Sequence, residues 1–274
     1  MAILLALIAS VAWGSGDFFG GLLSRRRNAI AVVFFMQGFG LVGVVAWAQI
    51  THAWEFGPFV LYGVIAGISG SVGLMTFYRA LALGTMGIVA PIAALGVLVP
   101  LGYGLIRGDQ PSVVQWLGIL FAIVGVVAAS GPELSGKVSP RPLVLATITA
   151  VLFGCAMAFM AAGADESPTM MIVTMRVVQS LGAVAVFAYW RGFGGITVRD
   201  LPLAALVGVL DVGANVAYEF AAARGPITIV AVLSSFAPVT TLLFGRFVLR
   251  ERLEWVQYIG VALAISGAVA VSAG

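Results

Sequence analysis

Apolar residues fill this chain in ten long runs, broken only by short clusters of Arg, Asp, Glu, Gly and Pro. The runs cover roughly residues 3–22, 29–50, 59–83, 87–106, 113–130, 143–163, 169–190, 203–223, 227–249 and 256–272. Each is close to the 20 or so residues that an α-helix needs to cross hydrocarbon. Within them hydrophobicity is continuous rather than alternating, which argues against barrel strands. The pattern predicts an all-α integral membrane protein of ten transmembrane helices. The breaks SRRRN (24–28), RGDQP (107–111), DESP (165–168) and RGP (224–226) leave no room for a soluble domain. The longest, 132–142, contains three Pro and divides the chain into 1–131 and 143–274.

The two parts repeat one another. ALALGTMGIVAPIAALGV (80–97) faces AAARGPITIVAVLSSFAP (221–238) at a shift of 141, SVAWGSGDFF (10–19) faces AVLFGCAMAF (150–159) at 140, and QWLGILFAIVGVVAAS (115–130) faces QYIGVALAISGAVAVS (257–272) at 142. Five helices per copy is an odd number, so the two copies are expected to cross in opposite orientations. That is the sequence pattern of alternating-access transport.

Composition agrees: 61% of the residues are hydrophobic and 9% charged, against roughly 25% charged in soluble domains. Of the basic residues, Arg25, Arg26, Arg27, Lys137, Arg141, Arg191, Arg199, Arg250 and Arg252 fall on one side of the ten-span topology. Arg107 and Arg224 fall on the other, with Glu55, Asp165 and Glu166. The positive-inside bias then puts both termini outside a plasma or inner membrane. The first run is not expected to be a cleaved signal peptide, because its positive cluster follows the apolar stretch. Cys155 is alone and His52 lies in a loop, so no disulfide, metal site or cofactor is expected.

The motifs AWGSGDFFGG in the first run, FYRALALGTMGIVAPIAAL across the third and fourth, and GRFVLRERLEWVQYIGVALAISG at the end resemble the EamA group of the drug/metabolite transporter superfamily over nearly the whole chain. The resemblance implies a ten-helix secondary transporter moving small organic metabolites, often amino acids or related amphipathic compounds, through a cavity between the halves. Two departures stand out. Arg107-Gly-Asp109 replaces the family's usual Gly-Glu-Arg after the fourth helix, and many relatives keep their termini in the cytoplasm, opposite to the charge bias here.

Gly16 and Gly20 have small-xxx-small spacing and read as helix packing. Pro91, Pro100 and Pro238 interrupt the fourth and ninth runs. Charges inside the spans carry more information, because each costs at least about 2.5–3.5 kcal/mol at the bilayer centre and needs a partner or a wet cavity. These are Asp17, Arg79, Arg176, Asp211 and Glu219. Asp211, Asn215 and Glu219 step by four, which keeps them on one helix face over about 12 Å. Arg176 and Gln179 make a polar face on the seventh run. At the equivalent positions of the other copy stand Met157 for Asp17, Phe34 for Arg176, Gly70 for Asp211 and Tyr78 for Glu219. Each of these charges belongs to one half only, so a functional use is favoured over a structural role intrinsic to the repeat.

The expected site therefore contains Asp211 and Asn215 near the midplane, reading the polar end of a substrate, with Gln179 and Gln37 as further polar groups. Trp13, Tyr78 and Tyr218 would line the cavity, although aromatic residues at such positions more often pack. Arg176 with Glu219, and Asp17 with Arg79, would close opposite mouths as charge pairs. Buried carboxylates could also carry protons. The expected partners are the lipid bilayer, a small-molecule substrate and, in a coupled cycle, protons, with no nucleic acid, in a monomer or homodimer. A channel or receptor-like binding protein is the alternative. An intramembrane enzyme is disfavoured, since neither HExxH nor GxSxG occurs.

Overall fold

Wherever the chain offers a polar side chain just before an apolar run, a helix starts there. The computed structural model describes residues 1–83, 86–130, 140–190, 195–250 and 252–274, without the side chains at 78, 81, 82, 86–88 and 190. The linker expected at 132–142 thus lies mostly outside the described residues. Those described form α1 (Ala2–Ser24), α2 (Ala29–Ile50), α3 (Phe59–Leu83), α4 (Met86–Ala94), α5 (Leu98–Ile106), α6 (Val113–Ala129), α7 (Pro140–Ala164), α8 (Pro168–Trp190), α9 (Leu201–Ala222), α10 (Ile227–Ser234), α11 (Ala237–Val248) and α12 (Trp255–Ala273), with no strand among them. Asn28 accepts from the Ile30 N–H at 2.9 Å and caps α2. Gln115 reaches back to the Ser112 N–H at 2.8 Å and Gln257 to the Glu254 N–H at 2.9 Å, which opens α6 and α12 with the same device.

Among the described residues nine segments are long and apolar enough to cross a membrane, and α6, with 17 residues, is a shorter apolar helix. The fourth and ninth runs are not continuous. A 3-10 turn, Leu95–Val97, separates α4 from α5, and α10 ends at Ser234 before α11 begins at Ala237. Pro100 has no N–H for the carbonyl of Gly96, and Pro238 has none for that of Ser234. The hydrogen-bond ladder therefore opens one turn upstream of each proline. Pro91 lies inside α4 without ending it.

The most extensive packing joins α6 to α12, α3 to α7 and α1 to α9, while α8 lies against α2 and α3. Glycine makes the first of these contacts possible. A Cβ on Gly125 would lie 2.3 Å from the Ala264 nitrogen, one on Gly260 2.3 Å from that of Ala129, and one on Gly267 2.4 Å from that of Ala122. Backbone thus touches backbone along the whole seam, as helices without a hydrophobic drive between them require. On α1 the tight position is Gly14, whose Cβ would meet the Ala237 carbonyl at 2.5 Å. Gly16 and Gly20, singled out from their spacing, make only ordinary contacts with Leu210 and Val207.

One end of the bundle gathers Ala2 against Gly225 and Gly274 against Ser112. There Arg107 bonds to Asp165 at 2.7 Å, and Asp109 accepts the Thr228 N–H at 2.8 Å, satisfying a free donor in the first turn of α10. This terminal end is packed shut: every residue of α10 is buried, as are Met170–Val173, Met175 and Arg176 in the first half of α8. The opposite end, tied by Arg27 to Asp200 at 2.9 Å, is looser. No residue from 177 to 189 on α8 is buried, and on α11 only Val239 and Gly245 are.

Candidate functional site

The polar face of α9 meets α8 and α2 midway through the bundle. Arg176 Nη2 lies 2.6 Å from Asp211 Oδ2, and its Nη1 donates to Gln37 Oε1. The Arg176 side chain is 1% exposed and that of Asp211 23%. Gly40, one turn beyond Gln37 on α2, lets α2 approach α9 closely: a Cβ there would lie 3.0 Å from Val212 Cγ2, while Arg176 Cδ, at 3.7 Å, would be in ordinary contact. Arg176 Nε makes no hydrogen bond, so one N–H donor remains unused beside the ion pair. Asp17 is exposed in the middle of an apolar helix and lies within electrostatic reach of Asp211.

Two expected charge pairs are therefore not formed. Arg176 pairs with Asp211 and Gln37, not with Glu219. Glu219 stands eight residues farther along α9, about 12 Å at 1.5 Å per residue, and Arg176 extends toward the midplane where two acceptors converge. Asp17 and Arg79 make no ion pair among the described residues, and Arg79 is exposed. Glu219 is fully buried, with no hydrogen-bond partner for either carboxylate oxygen.

The remaining expected residues divide. Asn215 is buried and turned back on its own helix, donating to the Asp211 carbonyl at 2.7 Å. Gln179 packs against Gly70, whose Cβ would lie 2.9 Å from its Nε2, and its Oε1 is buried without a partner. Tyr218 is fully buried, donates its hydroxyl to the Met157 carbonyl at 3.1 Å, and tilts against Trp13 with ring centroids 5.8 Å apart. Its contacts are those of a packing aromatic. The Tyr78 side chain lies outside the described residues. The close approach of α2 to α9 at Gly40 is not among the sequence expectations. Its signal was a small residue three positions after Gln37, on the same helix face.

Chemically, Asp17, Asp211 and Arg176 leave one negative charge in excess when all are ionised, beside a guanidinium whose Nε–H is spare. A group carrying both an ammonium and a carboxylate matches that set: the ammonium would offset the excess charge, and the carboxylate would take the free N–H. Among the described residues no cluster of His, Cys, Asp and Glu could hold a metal ion.

Three comparisons bear on what such a site serves. A family model described as EamA-like transporter family matches residues 1–131 and 141–273. A protein of Streptantibioticus cattleyicolor named "Probable terminal-alkyne amino-acid exporter" is 31% identical over 126 residues, 46% of this chain and 42% of its own length. The aligned stretch thus spans less than half of that relative. A solved crystal structure superposes with a TM-score of 0.82 at 18% identity, covering 99% of this chain and 96% of the other. At that identity the likeness shows a shared fold.

Proposed function

The chain belongs to the EamA-like transporter family, and from that premise we propose that it moves a zwitterionic, amino-acid-like metabolite across the plasma membrane by alternating access. The observation that carries the substrate class is the midplane set of Arg176, Asp211, Asp17 and Gln37, with its excess negative charge and the unused Nε–H of the guanidinium. The name of the partial relative, an amino-acid exporter, supports the same class.

Alternating access is supported by the way helix pairs exchange. With 1–131 and 143–274 as inverted repeats of five spans each, α3 against α7 corresponds to α9 against α1, and α8 against α3 to α2 against α9. The α6–α12 seam corresponds to itself. All of these pairs are packed. The matching backbone caps by Gln115 and Gln257 and the two broken spans fit the same relation. With the terminal end packed shut and Asp17 exposed, this conformation reads as one whose cavity opens toward the end bearing Arg25–Arg27. By the positive-inside bias that end is cytoplasmic, and Met1 and Gly274 are outside.

Two measurements test the reading. In proteoliposomes, an internal pool of one amino acid should accelerate uptake of the same labelled compound. Other zwitterions should compete, whereas its decarboxylated and N-acylated analogues should not. Unsaturable flux without counterflow would instead indicate a channel. For topology, a reporter fused after Gly274 should be active only when that terminus is extracytoplasmic, and a cytoplasmic-only signal would reverse the assigned orientation.

A further inference from the structure

Glu219 is the ionisable group that the midplane set does not use. It lies toward the end of α9, inside the shut terminal half, with no accessible surface and no hydrogen bond to either oxygen. The helices packed on α9 are α1, α2, α7, α8 and α10, with the 3-10 turn Val198–Asp200, and so Arg199 and Asp200, at its opposite end. Their charged and titratable groups are accounted for elsewhere. On α8, Arg176 is committed to Asp211 and Gln37, and Tyr189 lies at the far end of that helix. On α1, Asp17 lies within electrostatic reach of Asp211. On α7, Arg141 is at the opposite end of the bundle, and Cys155 carries no charge as a thiol. Neither α2 nor α10 carries any titratable group. Beyond α9, Arg224 bonds back to the Phe220 carbonyl at 3.0 Å, and with Met1 it lines an outward-facing groove. The hydroxyls nearest in the chain give no help: Tyr218 donates to Met157, and Thr228 Oγ1 is itself buried without a partner.

An ionised carboxylate with neither counter-charge nor donor does not persist in a dry interior; it takes up a proton. We propose that Glu219 is a proton-binding site, occupied as the neutral acid while the terminal half is packed shut and emptied to water on that side when the half opens. The step balances as one O–H bond broken and one proton passed to water, with no redox change. Only the release step rests on the transport reading.

The test is infrared difference spectroscopy on the purified protein in lipid nanodiscs, with Glu219→Gln as the variant. The expected result is a carbonyl band of a buried protonated carboxylic acid in the parent near neutral pH and its loss in Glu219→Gln, which keeps size and shape and should melt no lower than the parent. Persistence of the band in the variant, or its absence from the parent, overturns the assignment. So does failure of Glu219→Gln to fold, since the ionised form would then be needed. A sodium-dependent rise in melting temperature seen in the parent and lost in the variant would assign the site to a metal cation and also overturn it. A protein that shows the band but no counterflow refutes the transport reading and leaves the proton site standing.

Discussion

Arg176→Ala should be the most damaging single change at the midplane, abolishing counterflow and sharply reducing the amount of folded protein. The guanidinium is buried, and it holds Asp211 at 2.6 Å with Gln37 on its other arm. Its removal leaves Asp211, with Asp17 in electrostatic reach, without a cation. Breaking a buried pair by deleting one partner costs on the order of 3–5 kcal/mol, a large part of the roughly 5–15 kcal/mol that keeps a typical protein folded. Asp211 retains some exposure, which places the expectation at the lower end of that range. Arg176→Ala with Asp211→Asn removes the stranded charge as well, so the double variant should be more stable than Arg176→Ala alone and still inactive. A melting temperature for Arg176→Ala equal to the parent's would show that the pair contributes nothing to stability. Additive effects of the two changes would show that they are not coupled.

Gly260→Val should prevent assembly of the α6–α12 seam. A Cβ at Gly260 would stand 2.3 Å from the Ala129 nitrogen and 2.8 Å from the Gly125 carbonyl oxygen, and these are backbone atoms that cannot rotate away. Overpacking a core costs about 1–3 kcal/mol and occasionally more. With helix backbones as the obstacle, the upper part of that range is expected, seen as aggregation or a large fall in melting temperature. Gly43→Ala is the control, because no atom outside its own helix lies within 4 Å of a Cβ there. That exchange should be neutral or stabilise by up to about 1 kcal/mol through helix propensity. Equal melting temperatures for the two variants would mean that the seam yields easily.

What the sequence disclosed follows from what lipid demands. Backbone groups in hydrocarbon must bond within their own segment, so each apolar run reads directly as a helix, and prolines such as Pro100 and Pro238 mark where a ladder must open. Pairing across helices is less legible. Asp211, Asn215 and Glu219 share one face of α9, because a step of four is a property of a single helix. Which of them Arg176 would meet depends on the depth offset between α8 and α9 and on the reach of a flexible side chain, and sequence spacing encodes neither. Asn215 shows the same limit: its amide is taken by its own helix. Asp109 was noticed only as a departure from a family motif. Its bond to the Thr228 N–H joins segments 119 residues apart and has no local signature.

The two broken spans carry a mechanical consequence. At 1.5 Å per residue, α10 with 8 residues is about 12 Å long and α11 with 12 is about 18 Å, against a hydrocarbon thickness of about 30 Å. The joint between them therefore falls where the tails of the two lipid leaflets meet. Swinging one half-helix changes the protein's cross-section in a single leaflet and leaves its footprint in the other unchanged. Under the proposed alternating access, the lateral pressure of that leaflet enters the work of opening a mouth, so the acyl chains around the protein would act on the turnover rate separately from any substrate.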